Sequence, residues 1–332
     1  MPMTMTLSRR RVLSAIGLAG AGALAAPRVL AAEARLETTT VRFAKISLIC
    51  FAPQYVCEDL LRMEGFTDIR YVDTKPGGVF VQDLAEGKYH FTSNVTAQNV
   101  VLVDSGLPIT LVAGIHAGCY ELFGSDGTRN VRDLKGKRVG TIAATDLLEM
   151  MAALVGLDPK KDLTIINDPE AKPLDQFIQR KLDAYMASPP EPQLLHARGF
   201  GEVIVRTATD QPWSQYFCCT LAARRDYVAR NPVATKRVIR AMLKATDLCA
   251  SEPERAARRL VDGGFVDSYE YALQTLNDNP YAHWRDYDAE DTVRFYALRL
   301  HEVGAIKKLP QRIIADGTDF RFFDELKREL KA

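Results

Sequence analysis

The 332-residue sequence has no excess of charge of either sign, with 43 Lys and Arg residues against 42 Asp and Glu residues. Recognition of nucleic-acid phosphates normally needs a basic excess, so this balance argues against nucleic acid as a partner. No strongly apolar run reaches the roughly 20 residues that a membrane-spanning helix needs, which excludes a polytopic membrane protein. A hydrophobic share of 47% excludes a disordered chain. The class that remains is a soluble globular protein with two domains or one large domain.

The motifs of common nucleotide, metal and hydrolase sites are missing as well. There is no P-loop, no HExxH and no GxSxG, and the closely spaced glycines at 17, 20 and 22 do not follow a strand. No histidine is spaced to share a metal with a second ligand on one helical turn. We therefore predict no catalytic residue, no cofactor and no metal. The five histidines are His90, His116, His196, His283 and His301.

The first 32 residues have the composition of an export signal. Ser8–Arg11 (SRRR) precedes a weakly apolar run over residues 12–26, and Ala31 and Ala32 offer a cleavage point. An N-terminal membrane anchor is the alternative, but the run is short and rich in glycine. The arrangement resembles a twin-arginine signal, which exports folded bacterial proteins. We expect the signal to be removed and the mature protein to lie in the periplasm, with 39 basic residues left against 42 acidic ones.

Six cysteines in an exported chain raise the question of disulfides. No two of them form a CxxC pair, and their spacing matches no small disulfide scaffold. The adjacent Cys218 and Cys219 lie in a strand-like segment, where neighbouring side chains point to opposite faces. We predict buried free thiols, with disulfides as the alternative, for Cys50, Cys57, Cys119, Cys218, Cys219 and Cys249.

Strand-like and helix-like segments alternate in two similar units. This succession predicts parallel sheets with helices on their faces, although βα segments can resemble one another by chance. The predicted strands are 40–46, 68–73, 89–93 and 109–115 in the first unit, and 138–142, 163–167 and 182–186 in the second. From Asn231 onward, amphipathic helices that pack on existing structure are predicted at 233–250, 253–262, 268–277, 288–303 and 320–331.

Ligands of open parallel sheets bind beyond the carboxyl ends of the strands. In this sequence, the loops at those ends supply hydroxyls, amides and aromatic rings, which suit one small polar molecule. Helix capping is the alternative role for Asn94, Thr96 and Thr145. The predicted ligand-binding residues are Ser47, Phe51, Asn94, Thr96, His116, Tyr120, Thr145, Asp146, Glu191 and Trp213.

Four short segments carry a family resemblance through their order and spacing. They are Leu134–Gly140 (LKGKRVG), Gly156–Lys160 (GLDPK), Leu182–Ala184 (LDA) and Pro190–Pro192 (PEP). Together they resemble the bacterial solute-binding proteins of the nitrate/taurine/alkanesulfonate class, whose domain is shared with binders of thiamine pyrimidine precursors. The resemblance extends over about residues 40–260.

This resemblance implies a type II periplasmic binding protein, an α/β fold of two lobes with a hinge, a ligand cleft and a helical C-terminal segment. Lobe 1 would comprise residues 33–124 and 221–332, and lobe 2 would comprise residues 125–220. The chain would cross between the lobes near Glu121–Ser125 and Cys219–Ala223. The ligand would contact both lobes and so favour the closed form, which docks on an ABC transporter permease.

One segment departs from the pattern of the anion-binding members. They commonly have a Gly-Ser-Thr-like turn before the first helix of the second lobe, where the helix N-terminus holds the anion. This chain has Ala143-Ala144-Thr145-Asp146 there, and Glu191 adds a second acid nearby. A carboxylate would repel an anion, so we expect a neutral or cationic, heteroaromatic solute, on which Phe51, Tyr120, Trp213 and Tyr216 could stack. The alternative is that Asp146 is an ordinary helix cap.

We therefore predict a monomeric solute-binding protein, without stable membrane insertion, that delivers a small polar organic molecule to the permease and ATPase of an ABC importer. One alternative is an enzyme of pyrimidine-precursor synthesis on the same fold, with His116 and Cys119 as the local candidates. The other is a ligand-sensing receptor subunit, which the sequence does not separate from a transport role.

Overall fold

A computed structural model describes residues 34–74, 80–125, 127–142 and 144–330, so the export signal predicted at 1–32 lies outside the described residues. Within these ranges the chain forms ten strands, arranged in two five-stranded sheets. In chain order they are β1 (Thr40–Lys45), β2 (Asp68–Asp73), β3 (Phe91–Val95), β4 (Ile109–Ala117), β5 (Glu121–Gly124), β6 (Lys137–Thr141), β7 (Leu163–Ile166), β8 (Ala184–Ala187), β9 (Glu202–Arg206) and β10 (Phe217–Arg224).

Helices connect these strands and make up the C-terminal segment. In the described ranges they are α1 (Ala52–Val56), α2 (Glu58–Met63), α3 (Phe80–Ala85), α4 (Thr96–Asp104), α5 (Thr145–Leu154), α6 (Pro173–Ile178), α7 (Glu191–Ala197), α8 (Arg225–Arg230), α9 (Pro232–Ser251), α10 (Pro253–Asp262), α11 (Tyr269–Asp278), α12 (Ala289–Glu302), α13 (Pro310–Gly317) and α14 (Arg321–Glu329). None of them combines the length and the apolar character that crossing a bilayer requires.

The two sheets have the same topology. The first has the strand order β2-β1-β3-β10-β4 and the second has the order β7-β6-β8-β5-β9. In each sheet the fourth strand runs antiparallel to both of its neighbours. We call the first sheet with α1–α4 and α8–α14 the first lobe, and the second sheet with α5–α7 the second lobe. The predicted architecture of two α/β lobes is thereby confirmed.

Two connections carry the chain between the lobes, and each leads directly into the antiparallel strand of the other sheet. The first crossing runs from Ala117 to Glu121, and the second runs from Arg206 to Phe217. The sequence-based positions for the crossings, Glu121–Ser125 and Cys219–Ala223, come a few residues later in the chain. Glu121–Gly124 and Cys219–Ala223 are already paired within β5 and β10, because each strand begins as soon as the chain reaches the other sheet.

Burial explains why some elements were predictable and others were not. All nine residues of β4 are buried, as expected of a strand covered on both faces. Five of the C-terminal helices lie within a few residues of their predicted positions. The helical segment from Ala52 to Met63 is interrupted at Cys57, which separates α1 from α2. The short helices α7 and α13 were not predicted, because each spans about two turns and starts in a proline-containing segment that suggests a loop.

The two crossings are packed and hydrogen-bonded against each other. The Tyr120 amide donates to Thr207 Oγ1 over 2.9 Å, and the same hydroxyl donates back to the Tyr120 carbonyl over 2.9 Å. The Thr207 amide also donates to that carbonyl over 3.0 Å. Next to this pair, Gly118 has a φ of +74°, and a Cβ placed on it would come within 2.7 Å of the Ala208 Cα. Only glycine therefore allows the two crossings to approach this closely.

This contact predicts a specific cost for Gly118→Ala. Its free energy of unfolding should fall by about 1 kcal/mol, because alanine is unfavourable in the left-handed backbone conformation of this position. It should fall by about 1–3 kcal/mol more, because the added methyl group clashes with Ala208. Gly136→Ala is the matched control, since Gly136 has the same φ of +74° but no heavy atom within 4 Å of its Cβ position. Urea unfolding of both variants measures the difference. Equal losses would show that the crossings do not constrain each other.

Candidate functional site

The carboxyl ends of the parallel strands in the two sheets are joined by the crossings, so their loops converge. β4 ends at Ala117, and only three residues later β5 begins at Glu121. Glu121 pairs with Ala187, at the end of β8, and with Arg206, at the end of β9. The region around the crossings is therefore where a fold of this kind places its ligand.

A cavity of about 380 Å³ lies beside the crossings. Both crossings contribute to its wall, together with α7 of the second lobe and the end of α11 in the first lobe. Its volume is within the range of small-molecule sites. The polar lining residues that matter below are Glu121, Gln193, His196, Arg206, Asp278 and Asn279.

Two buried amides, one from each lobe, leave polar atoms unpaired in the wall of this cavity. Gln193 on α7 is 3% exposed, and Asn279, just after α11, is 7% exposed. Within the part of the chain that the structure describes, Gln193 Oε1 and Asn279 Nδ2 have no hydrogen-bond partner. The Asn279 side chain lies near the Tyr281 hydroxyl, but without hydrogen-bond geometry. A buried polar atom without a partner costs about 1–3 kcal/mol. A ligand that offers one donor and one acceptor would remove this cost.

The same two elements already hold the lobes together at the cavity. Gln193 Nε2 donates to Asp278 Oδ2 over 3.0 Å, which links α7 to α11. A solute bound beside this hydrogen bond would contact both lobes. Contacts to both lobes are what favours the closed form over an open one.

Most charged side chains in the cavity wall pair with one another, and the carboxylate of Asp278 is the one that remains outside an ion pair among the described residues. Glu121 accepts from Arg206 Nε over 2.8 Å and contacts His196 Nε2 over 2.7 Å. Among the described residues, the Asp278 carboxylate accepts a hydrogen bond from the Gln193 amide, and its charge also acts on Arg206. Because its guanidinium is already paired with Glu121, Arg206 is poorly placed to bind an anion. The balance favours a neutral or cationic solute over an anionic one.

Of the ten predicted ligand-binding residues, Tyr120 lines this cavity. Asn94 and Thr96 belong instead to a buried hydrogen-bond network of the first lobe, and neither side chain caps α4. Asn94 Nδ2 donates to Asn99 Oδ1 over 2.9 Å, and Thr96 Oγ1 donates to the Phe217 carbonyl over 2.8 Å. These bonds attach the start of α4 to β10, which is a structural role in this conformation.

Apart from Tyr120, the aromatic residues expected to stack on a ligand pack on protein side chains. Phe51 is fully buried in the core, while Ser47, four residues earlier, is exposed. Trp213 packs edge-on against Phe295 of α12, and Tyr216 stacks on the same ring with centroids 4.0 Å apart. These rings fill the space between the second crossing and α12.

The two predicted acids of the second lobe differ in their surroundings. The Glu191 carboxylate accepts from the Tyr185 hydroxyl over 2.7 Å and from the Ser188 amide over 3.0 Å, so it holds the turn before α7. Asp146, in the first turn of α5, forms no side-chain hydrogen bond or ion pair with a described residue. Burial raises the pKa of both carboxyl groups. Burial and the charge of Asp146 also raise the pKa of Glu149, one turn further along α5.

The helix α5, which carries Asp146 and Glu149, packs against α4 and α12 of the first lobe. Thr145, which precedes Asp146, accepts a hydrogen bond from Asn167 Nδ2 over 3.3 Å. The start of α5 is thus an acidic part of the boundary between the lobes. An anion there would meet a carboxylate rather than free amide groups alone.

His116 lies in a separate buried cluster of thiols at the same edge of the first sheet. Its Nδ1 is 3.0 Å from the Ala117 carbonyl, and its ring interacts with the thiols of Cys219 and Cys50. Burial lowers the pKa of His116, but these two thiols outweigh burial and raise that pKa to about 10. All six cysteines are buried, and none of them forms a disulfide with a described residue.

Sequence reasoning missed Gln193, Arg206, Asp278 and Asn279. Because ligands bind beyond the carboxyl ends of the strands, the sequence points to the loop before α7, but not to side chains within α7 itself. Asp278 and Asn279 come from the C-terminal segment, where Asn279-Pro280 reads as a separator between helices. Gln193 and Asp278 are 85 residues apart in the sequence, and no local pattern connects them.

Comparison with known proteins identifies the family of the chain. The family model described as NMT1/THI5 like matches residues 64–256. The bicarbonate-binding protein CmpA of Synechococcus elongatus is 27% identical over 101 residues, which are 30% of this chain and 22% of that protein. The chain thus matches about a fifth of the length of this curated relative.

Solved structures show the same fold. The nitrate-binding protein NrtA from Synechocystis PCC 6803 superimposes with a TM-score of 0.73 at 14% identity, over 90% of each chain. The alkanesulfonate-binding protein SsuA from Xanthomonas axonopodis pv. citri, bound to MOPS, gives 0.68 at 17% identity, over 86% of this chain and 100% of that one. The predicted periplasmic-binding-protein fold is therefore confirmed.

The unpaired carboxyl group of Asp146 predicts a pH-dependent effect of Asp146→Asn. Because burial raises the pKa of Asp146 in the folded state, its ionised form opposes folding above that pKa. The variant should therefore be more stable than the parent at pH 7. The gain should shrink as the pH falls and vanish below about 3.9, where the carboxyl is protonated in the unfolded chain as well.

Urea unfolding of the ligand-free protein at several pH values tests this prediction. The matched control is Asp175→Asn, which removes the same charge from an exposed position in the first turn of α6. A variant Asp146→Asn that is less stable at pH 7 would show that the carboxylate is stabilised in the folded protein.

Proposed function

The chain belongs to the NMT1/THI5-like family, and we propose that it is the solute-binding protein of an ABC importer, which closes its two lobes around one small polar organic molecule. The observation that carries this proposal is the pair of unpaired amide atoms on Gln193 and Asn279 in the crossing cavity. They come from different lobes, and they offer one acceptor and one donor. A solute that satisfies both would stabilise the closed form.

The ligand is a neutral or cationic molecule in this proposal. The similar proteins are named for nitrate, alkanesulfonate and bicarbonate, which are anions. In this chain, the Arg206 guanidinium is neutralised by Glu121, Asp278 adds a further carboxylate to the cavity, and Asp146 occupies the start of α5. Transfer of an anion from water into such surroundings is unfavourable, whereas an amine, amide or aminopyrimidine finds acceptors.

The cellular setting follows from the same proposal. The sequence at 8–32 supports export through the twin-arginine route to the periplasm, and a permease and an ATPase would be the partners. A monomer suffices, because both halves of the cavity belong to one chain. A receptor subunit would use the same closure, so we retain sensing as the alternative. The enzyme alternative gains no support, since His116 is fully buried and does not line the cavity that Cys119 lines.

The test is a thermal-shift panel on the full chain without its signal. The panel holds amines, aminopyrimidines, amides, alkanesulfonates, nitrate and bicarbonate. A solute that binds the folded form at 100 times its dissociation constant raises stability by about 2.7 kcal/mol. We expect stabilisation by a neutral or cationic solute. Stabilisation by anions alone would contradict the ligand class, and stabilisation by none of the panel would leave the amide pair without its expected partner.

Substitution of the amides then locates the site. Asn279→Ala and Gln193→Ala should each weaken binding of the stabilising solute about 10-fold, the equivalent of about 1.4 kcal/mol, as measured by calorimetry. Gln179→Ala removes an exposed amide of the second lobe and should leave binding unchanged. The unfolding midpoint of each free variant shows that it is folded. Unchanged affinity in both cavity variants would place the ligand elsewhere.

A further inference from the structure

We propose that Cys50, Cys119 and Cys219, together with His116, form a binding site for a thiol-preferring metal ion such as Zn²⁺. This proposal goes beyond the solute-binding function and does not depend on it. The four residues lie at the cleft edge of the first sheet, where three separate parts of the chain meet.

The three thiols are close enough to share one ion. The Sγ atoms of Cys50, Cys119 and Cys219 all lie within 4.8 Å of one another. Tetrahedral Zn²⁺ with bonds of about 2.3 Å holds its sulfur ligands about 3.8 Å apart, so side-chain rotations of modest size would close the site. Thiolates with one imidazole are a typical ligand set for a structural zinc ion.

These thiols come together through tertiary structure rather than through a sequence motif. Cys50 lies in the short helical turn Ile49–Phe51 after β1, Cys119 lies on the first crossing, and Cys219 lies on β10. No short sequence motif contains these cysteines, so a metal site could not be predicted from their spacing. An ion bound there would fix the first crossing to two strands of the first lobe.

His116 supplies an independent observation that points to a ligand. It pairs with Cys219 across β4 and β10, it is fully buried, and its ring lies beside the thiols of Cys219 and Cys50, while its Nε2 forms no hydrogen bond of good geometry with the described residues. Its other ring nitrogen, Nδ1, is 3.0 Å from the Ala117 carbonyl, which fixes the orientation of the ring. A histidine that binds a metal through one nitrogen usually has the other held in this way. Coordination would also satisfy a buried atom that forms no such hydrogen bond.

Two further features concern how an ion could reach the thiols and which reaction would compete with ion binding. Cys119 also lines the crossing cavity, so this thiol connects the cluster to solvent. Cys218 Sγ lies 3.0 Å from Cys119 Sγ, which is longer than the disulfide bond length of about 2.05 Å. Oxidation of this pair would remove Cys119 from the ligand set. The metal site is therefore available in the reduced protein.

The experiment titrates the full chain without its signal, kept reduced with a phosphine and stripped of metal, with Zn²⁺ in competition with a chromophoric chelator. We expect one Zn²⁺ per chain with a dissociation constant below about 1 μM and a raised unfolding temperature. Co²⁺ in the same protein should give thiolate-to-cobalt charge-transfer bands and the intense visible bands of a tetrahedral site. Cys219→Ser and Cys50→Ser should weaken binding more than about 100-fold.

Two cysteine variants serve as controls. Cys249→Ser replaces a buried thiol on α9 outside the cluster, and Cys218→Ser removes the disulfide competitor but no proposed ligand. Both should bind Zn²⁺ as the parent does. His116→Gln should still bind the ion, but more weakly and with an altered cobalt spectrum.

Several results would overturn the proposal. These are no Zn²⁺ binding by the reduced parent protein below about 1 μM, an octahedral cobalt spectrum without thiolate bands, or unchanged binding in Cys219→Ser. If Cys219→Ser does not fold, as judged by circular dichroism, thiol counting in the parent protein decides. Zn²⁺ should then protect three thiols from a disulfide reagent, and protection of none would reject the site.

Discussion

The contact between the two crossings is the constraint on which the rest of this structure depends. Tyr120 and Thr207 share three hydrogen bonds, and Gly118 lets the backbones approach at Ala208. Because the first crossing has only three residues between its strands, it fixes where the carboxyl ends of the two sheets meet. Glu121 and Arg206 of the cavity wall, and Cys119 of the thiol cluster, lie next to this contact in the chain, so the contact helps to set their positions.

Charge at the boundary between the lobes follows a simple physical rule. Carboxylates that have partners serve the structure: Glu121 is paired with Arg206, and Glu191 holds a turn. Asp146 has no such partner and lies at the start of a helix, where a relative that binds an anion would need free amide groups. Its desolvation costs free energy that nothing in the described chain returns. A cation or a hydrogen-bond donor bound beside Asp146 would offset part of this cost.

The sequence was sufficient to predict the fold, but it predicted only part of the candidate site. Strands such as β4 are predictable because burial on both faces leaves a continuous apolar run, and the crossings were placed within a few residues. The site depends on contacts between distant positions, as in the hydrogen bond of Gln193 to Asp278 across 85 residues. The position of a residue in a loop indicates that it lies at the cleft edge. It does not indicate whether the side chain faces a ligand or packs against other side chains of the protein. Trp213, for example, has the right position, yet it packs on Phe295.

The cavity and the thiol cluster share Cys119, and this has a thermodynamic consequence for the two proposals. An ion bound by Cys119 would restrain the first crossing, whereas closure around a solute requires Tyr120, the next residue, to take one position in the cavity wall. If the ion favours the same arrangement of the crossing as the solute, each tightens the binding of the other by the same factor. If it favours another arrangement, each weakens the other equally. In this structure the crossings are hydrogen-bonded to each other and the three thiols lie within 4.8 Å of one another. If the cavity closes around a solute in this same arrangement, the coupling is positive.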